Sequence, residues 1–434
     1  MASQKMFSAF RPFLASPAPR ALLVGSAISR FGDALDTVAF GWLVYRLTGS
    51  TLLMGMLYTV NALPNLLFGL AGGVLADRLP TGRTVSLLNA VRGLLVVFIA
   101  ALAILERCPV YMLFVFTALN STCEALSAPA AQKLPSLLLP ANALDGYLGF
   151  LQGGQTGAEL CGYALSGFVI AVLGMGGALL VDAATFFISA ALVLFAWRRA
   201  RVGAAPSAAG DAPVMSRAYM TEGLRHMRRC PPLLPLALYA GFINLMLAPF
   251  NALNVVYVGS VLGRGPETVG VMGTLFMAGT LLGGLLSAVL SGSLAPRLRL
   301  SLGVAVLGMG YMLLLLPPML PASLGLPVTL AACVLAGLGL PISSTTVQAT
   351  LLRGTPPALR GRVSAILLVI SCAAMPLGSA AAGVLGSAVS LPLLFGLCGL
   401  MVLLCAVPPL LSRTIRRMDN LAAPQDAALE INLE

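Results

Sequence analysis

Long apolar runs recur along the whole chain, broken by short polar segments that carry most of its arginines. A helix crosses a bilayer with roughly 20 apolar residues, so this pattern predicts twelve spans. They lie at about 20–46, 51–76, 84–105, 109–131, 144–173 and 176–197, then at about 232–260, 268–294, 299–318, 327–352, 362–388 and 390–412. The one long polar segment separates the sixth span from the seventh. It holds Pro206, Gly210 and Pro213 and ends in Arg225-His226-Met227-Arg228-Arg229, which reads as a linker with an amphipathic surface helix. The expected organisation is a tail at 1–19, a six-helix bundle at 20–197, a linker at 198–231, a second six-helix bundle at 232–412 and a tail at 413–434. The fold class expected is an all-α polytopic membrane protein, with twelve transmembrane helices in two pseudo-symmetric bundles.

Composition narrows the chemistry. Of the 434 residues 58% are hydrophobic and only 9% charged, and the mean hydropathy is +0.94. A soluble domain has about 25% charged residues, so this chain could not cover a water-facing surface. The single histidine, His226, excludes a multi-histidine metal site. Neither lysine, Lys5 nor Lys133, sits in the Gly-Lys-[Ser/Thr] context of a phosphate-binding loop. The eight cysteines form no Cys-x-x-Cys pair and mostly lie in apolar runs, where a thiol acts as a small hydrophobe. No cofactor and no metal is expected, and the chain reads as a monomer.

The net charge of +11 would suggest nucleic acid in a soluble protein. Here it is topological, because basic residues mark cytoplasmic loops. With the N-terminus inside, 21 lysines and arginines fall in cytoplasmic segments; three (Arg46, Arg107 and Arg264) fall opposite and two (Arg30 and Arg92) within spans. Both termini are therefore expected in the cytoplasm of a bacterial-type inner membrane, with the lipid bilayer as surroundings and no nucleic-acid partner.

A faint repeat links the halves. Gly73-Val74-Leu75-Ala76-Asp77-Arg78-Leu79 matches Gly292-Ser293-Leu294-Ala295-Pro296-Arg297-Leu298, and Gln132 with Pro140 matches Gln348 with Pro356. The offsets, 219 and 216, are close to half the chain, as in transporters built from parallel six-span repeats. The segment from Gly73 to Arg83 resembles the loop-2/3 signature of the major facilitator superfamily. Tyr45-Arg46-Leu47-Thr48-Gly49-Ser50, Val181-Asp182-Ala183-Ala184-Thr185-Phe186, Pro249-Phe250-Asn251-Ala252-Leu253 and Leu359-Arg360-Gly361-Arg362-Val363 resemble its macrolide-efflux and siderophore-exporter branch, the third class of drug:proton antiporters. Where drug antiporters carry a Gly-Pro pair in the fifth span this chain reads Gly162-Tyr163, so the direction of transport stays open. The resemblance implies a secondary transporter working by alternating access. It also implies that the loop residues Gly73, Asp77, Arg78 and Arg83 form a cytoplasmic gate.

Charges inside a bilayer cost about 2.5–3.5 kcal/mol each on insertion scales and usually serve a pathway. The N-terminal half places Arg30, Asp33, Asp36, Arg92, Glu124, Glu159 and Asp182 in its spans; the C-terminal half places none. Asp33, Asp36, Glu124 and Glu159 are the candidate proton carriers, since a desolvated carboxylate is suited to take up and release a proton. Arg30 and Arg92 are their charge partners, and the plain alternative is a structural Arg30–Asp33 pair. Asp182 reads as mainly structural. Asn120, Gln152, Gln155, Asn244, Asn251 and Asn254 form polar stripes at helical spacing. They suggest a water-accessible cavity for a small-molecule substrate, the alternative being hydrogen bonds between helices.

Gly149, Gly153 and Gly157, and Gly279 with Gly283, repeat every four residues. They are expected to allow close helix contact where the two halves meet. At the position matching Asp77 the C-terminal half has Pro296, with neither charge nor N–H donor, so no equivalent charged contact is expected there.

The function expected is proton-coupled export of an amphiphilic drug, macrolide or siderophore. A proton-independent uniporter or a lysolipid flippase of the same fold is the alternative. An enzyme would need a clustered nucleophile and base, which this composition does not offer; a passive channel would lack counterflow. The charge split itself is testable. A fluorescent protein fused after Glu434 should fluoresce, and alkaline phosphatase should be active when inserted beside Arg107 or Arg264 but not at the C-terminus. The opposite pattern would reverse the orientation.

Overall fold

The computed structural model describes residues 16–200 and 217–422. The predicted tails before residue 16 and after residue 422, and the linker stretch 201–216, lie outside the described residues. The first part of the chain forms α1 (Pro17–Thr48), α2 (Thr51–Arg78), α3 (Thr81–Ile104), α4 (Val110–Leu138) and α5 (Ala141–Arg199). Then come the linker helix α6 (Arg217–Arg229), α7 (Leu233–Ser260), α8 (Pro266–Leu290), α9 (Pro296–Leu313), α10 (Ala322–Arg353), α11 (Arg360–Ala388) and α12 (Leu391–Leu404). Short helical turns follow, ending at Ala422.

Local chemistry sets the ends of these helices. Gly49 closes α1 in the left-handed region (φ 56°), its N–H donating to the Tyr45 carbonyl at 2.8 Å, a conformation that favours glycine. Ser50 then caps α2 by accepting from the Leu53 N–H at 3.4 Å. Pro80, Pro109 and Pro140 stand just before α3, α4 and α5. The runs predicted at 144–173 and 176–197 are two helices, taken together as α5, that join directly across a kink at the non-helical Gly174 (φ 70°, ψ 176°). One glycine takes the place of a loop. Pro64, Pro249, Pro341 and Pro376 lie inside helices that continue past them.

Among the described residues nine helices are long and apolar enough to cross a membrane. Two others fall short because of their charges. Helix α1 carries Arg20, Arg30, Asp33, Asp36 and Arg46, and the 18-residue α9 opens with Arg297 and Arg299. The chain is thus an all-α, multi-spanning membrane protein.

The chain divides into two compact units, residues 1–212 with 258–274, and residues 213–257 with 275–434. In the first unit α1 lies along α5, α3 packs on α5 and α4, and α2 packs on α4. Polar side chains tie these helices together: Ser86 donates to the Ala190 carbonyl at 2.8 Å, Asn89 to Ser189 at 3.2 Å and Asn61 to Ser121 at 2.9 Å. Leu22, Val85, Leu134, Tyr147 and Trp197 form a buried cluster, where the Tyr147 hydroxyl donates to the Pro19 carbonyl at 2.8 Å. Helix α1 lies close against α5 at Gly32, where a Cβ would strike Thr185 Oγ1 and Asp182 Oδ1.

In the second unit α9 packs on α10 and α12. Phe250, Tyr257, Tyr311 and Phe395 stack with centroids 5.3–5.5 Å apart, within the range of favourable aromatic pairs. The linker helix α6 rests on α11: Met227 is buried, Glu222 pairs with Arg362, and the His226 ring lies 3.1 Å from the Gly354 carbonyl. Two expectations are corrected here. Gly279 and Gly283 let α8 lie against α10 inside this unit, because a Cβ on them would strike the Val334 and Leu338 carbonyls. Gly149, Gly153 and Gly157 have open space beside them. The second correction concerns Arg297, beside Pro296. It does have a charged contact: Asp419, after the last long helix, pairs with Arg297 Nε at 3.0 Å and accepts its backbone N–H at 3.1 Å. The acid comes from a distant stretch of chain, which a search for a local match to Asp77 does not find.

Two glycine variants test the packing. Gly32→Ala forces a methyl into Thr185 and Asp182 and should destabilise by about 1–3 kcal/mol. Gly153→Ala, with free space, should be neutral or slightly stabilising. Thermal melting of the purified proteins in detergent reads both, and equal melting temperatures would show that α1 yields at Gly32.

Candidate functional site

The charges of the first unit gather around Arg92. Helix α3 places it in the interior, 7% exposed, where an uncompensated guanidinium would be very costly. Its Nε donates to Asn120 Oδ1 on α4 at 3.0 Å, and Nη2 donates to Asp33 Oδ1 on α1 at 3.1 Å. The guanidinium carbon stands 4.2 Å above the Phe186 ring on α5, a cation–π arrangement. Four elements thus converge on one positive charge. Arg30 reaches the other Asp33 oxygen only at 3.8 Å and is half exposed, so this pair contributes little. The partner of Asp33 that matters is Arg92. Spacing along α1 pointed to Arg30 because neighbours along a helix can be counted in a sequence, whereas Arg92 lies 59 residues away.

Around this pair stand acids with unused hydrogen-bonding capacity. Asp36 Oδ1 is buried without a partner. Asp182 is fully buried; Thr185 donates to its Oδ1 at 3.3 Å, while Oδ2 has no partner. Glu124 and Asp182 both lie within electrostatic reach of Arg92, and Glu159 within reach of Arg30 and Asp33. Asp33, Asp36, Arg92, Asn120, Glu124 and Asp182 are therefore brought together. Along α5 Gln152 is exposed, while Gln155 and Glu159 are half-buried.

In the second unit Asn244 lines a pocket of about 320 Å³ and donates to the Ala240 carbonyl at 2.9 Å. Asn251 and Asn254 are half-buried and make no side-chain hydrogen bond to described residues. The same pocket is lined by Ser343, Ser344, Gln348, Ser364 and Ser371, none of which sequence reasoning placed in a cavity. Gln348 was visible only through the repeat, and single serines in apolar runs give no signal. Arg78 and Arg83 are exposed at the α2–α3 turn, and the side chains of Gly73 and Asp77 lie outside those described. Among the described residues no group of three or more His, Cys, Asp or Glu could hold a metal ion.

Many membrane-length helices, an internal charge network and a pocket large enough for a small molecule define a polytopic membrane protein of the kind that carries solutes. A family model, Major Facilitator Superfamily, matches residues 22–379 and, again, 252–428, and the chain belongs to that family. It is a secondary-active, alternating-access transporter of small molecules and not an enzyme. Relatives along most of its length include Macrolide efflux protein A of Streptococcus pyogenes, 24% identical over 398 residues, covering 91% of this chain and 96% of the relative. Multidrug efflux pump Tap of Mycolicibacterium fortuitum is 27% identical over 423 residues, covering 93% and 97%. A crystal structure of a bacterial homologue of the iron transporter ferroportin, in an inward-facing state, has the same fold. Its TM-score is 0.71 at 17% identity, over 90% of this chain and 98% of that one.

The Arg92–Asp33 pair gives a direct test. Arg92→Gln leaves a carboxylate without its cation and should cost about 3–5 kcal/mol, as breaking buried pairs does. Adding Asp33→Asn should recover part of that loss. Melting temperatures of the two single variants and the double variant form the cycle, and additive losses would mean that the two residues do not stabilise each other.

Proposed function

We propose that this transporter is a proton-coupled exporter of amphiphilic small molecules of the drug, macrolide or siderophore type. In this reading both termini are cytoplasmic and the protein spans an inner membrane twelve times as two bundles of six. The span count adds α1, α9 and the second arm of α5 beyond Gly174 to the nine apolar helices. The names of the relatives, macrolide efflux and multidrug efflux, support the substrate class and the direction. Gly73, Asp77, Arg78 and Arg83 would form the gate at the cytoplasmic edge.

The observation that carries the coupling is one buried cation facing several carboxylates. Arg92 is held to Asp33, while Asp36 and Asp182 each keep an oxygen without a partner. A proton arriving on Asp33 cancels the negative charge that holds the guanidinium. The arginine's charge is then available to the inner acids, and a proton on one of those is released. Protonation and side-chain pairing are exchanged within one network, so proton movement can bias the conformation of α1 against α3 and α5. Glu124 and Glu159 are further proton carriers in this scheme. Gln152, Gln155, Asn120, Asn244, Asn251 and Asn254 supply neutral contacts to the substrate.

The test uses proteoliposomes and radiolabelled erythromycin. Asp33→Asn or Asp36→Asn should abolish accumulation driven by a pH gradient while exchange at equal pH survives. Unchanged pH-driven uptake in both single variants and in the double variant would show that neither aspartate carries the proton, and no pH-driven accumulation by the unaltered protein would favour the uniporter or lysolipid flippase.

A further inference from the structure

The pocket of the second unit has a chemistry that the first unit does not share. Its walls come from α7, α9, α10 and α11, and Ile243, Leu247, Leu300, Val347 and Leu351 in them are buried. Among the described residues no charged one lines it. Six neutral polar side chains open among the apolar ones: Asn244, Ser343, Ser344, Gln348, Ser364 and Ser371. Asn244 spends an N–H on the Ala240 carbonyl, and Ser343 spends its hydroxyl on the Gly339 and Leu340 carbonyls. Ser344, Gln348, Ser364 and Ser371 make no side-chain hydrogen bond to described residues. Ser344 and Gln348 stand one turn apart on α10, and Ser364 and Ser371 two turns apart on α11, so each pair shares a helix face. The pocket therefore offers donors and acceptors on two opposed helices, framed by leucine, isoleucine and valine.

Three kinds of ligand can be compared. A charged group would give up its hydration with no counter-charge on the pocket wall, which is costly. A plain hydrocarbon would cover an amide and several hydroxyls without pairing them, which is costly too. A neutral group bearing hydroxyl or ether oxygens avoids both losses. We propose that this pocket binds the uncharged, polyoxygenated part of an amphiphile, a glycosyl or lactone-type group carried on an apolar body. Its volume lies at the lower end for small-molecule sites and takes a group the size of a sugar ring with a few attached carbons. The place of the pocket in a transport cycle rests on the function proposed above. Its ligand preference does not.

The test therefore needs no gradient and no natural substrate. The full-length protein, with its native cysteines replaced, carries Ser364→Cys in lipid nanodiscs, and alkylation of that thiol by a maleimide is timed. Two probes with the same alkyl chain are compared below their micellar concentrations, octyl glucoside and octyltrimethylammonium. The glucoside should slow alkylation about tenfold at a concentration where the ammonium slows it less than about twofold, in line with two or three hydrogen bonds. Gln348→Ala should weaken protection by the glucoside about 3- to 10-fold, and Val347→Trp, which fills the pocket, should abolish it. Ser371→Cys serves as an independent reporter if the Ser364 variant folds poorly.

Equal protection by both probes would show a merely apolar hole, and protection by the ammonium alone would invert the preference. Either result overturns the proposal, as does a thiol that reacts freely in the presence of both. Failure of the proton-coupling reading would appear separately, as the absence of pH-driven accumulation by the unaltered protein in proteoliposomes.

Discussion

The cost of holding one guanidinium inside the first unit constrains everything packed around it. Arg92 sits where water cannot solvate it, so α1, α4 and α5 must each bring it something: a carboxylate, an amide oxygen and an aromatic face. A buried ion pair seldom adds net stability over well-packed apolar residues, so stability alone is a poor reason for having it. In the proposed function it supplies a geometry that would change when a proton is added. If Asp33 becomes neutral, the contact between α1 and α3 loses its charge assistance, while the α4 and α5 contacts to the arginine remain. In the proposed coupling a change of one charge would thereby become a preference between two helix arrangements.

The surroundings make that preference sharp. Asp182 is wedged against Gly32, where the absence of a Cβ lets α1 and α5 approach so closely, and Thr185 holds only one of its oxygens. A side chain this confined cannot move away from an unfavourable charge. The structural role of Asp182 and a share in the charge balance are consequently compatible: a rigid acid is a better reference point for a moving arginine than a mobile one.

Much of this architecture can be read in the sequence because the bilayer forces it. Apolar runs near 20 residues mark the helices, the arginine asymmetry suggests the sidedness, and in-span charges single out Asp33, Asp36, Arg92 and Glu124. What could not be read is which charge meets which. Spacing along α1 favours Arg30 for Asp33, yet tertiary packing brings Arg92 closer. The same limit hid the Asp419 partner of Arg297 and the use of Gly279 and Gly283 inside one unit. It also hid the serines of the second-unit pocket, because a lone serine in an apolar helix usually bonds its own backbone. Only packing reveals that Ser344, Ser364 and Ser371 do not.

The uneven distribution of charge has a functional consequence. All in-span acids belong to the first unit, whereas the pocket of the second is neutral, so changes that suit one task need not disturb the other. An exporter must keep its proton stoichiometry fixed while the compounds it meets differ in shape and oxygenation. Residues such as Gln348 and Ser364 can vary with modest effects on binding, each neutral hydrogen bond being worth about 0.5–1.5 kcal/mol. A change at Arg92 or Asp33, in contrast, alters a buried charge and is felt at several kcal/mol. If the two proposals hold, selectivity is placed where substitutions are cheap, and coupling where they are severe. That arrangement lets a transporter of this kind broaden or shift its substrates by point changes without losing the step that drives them.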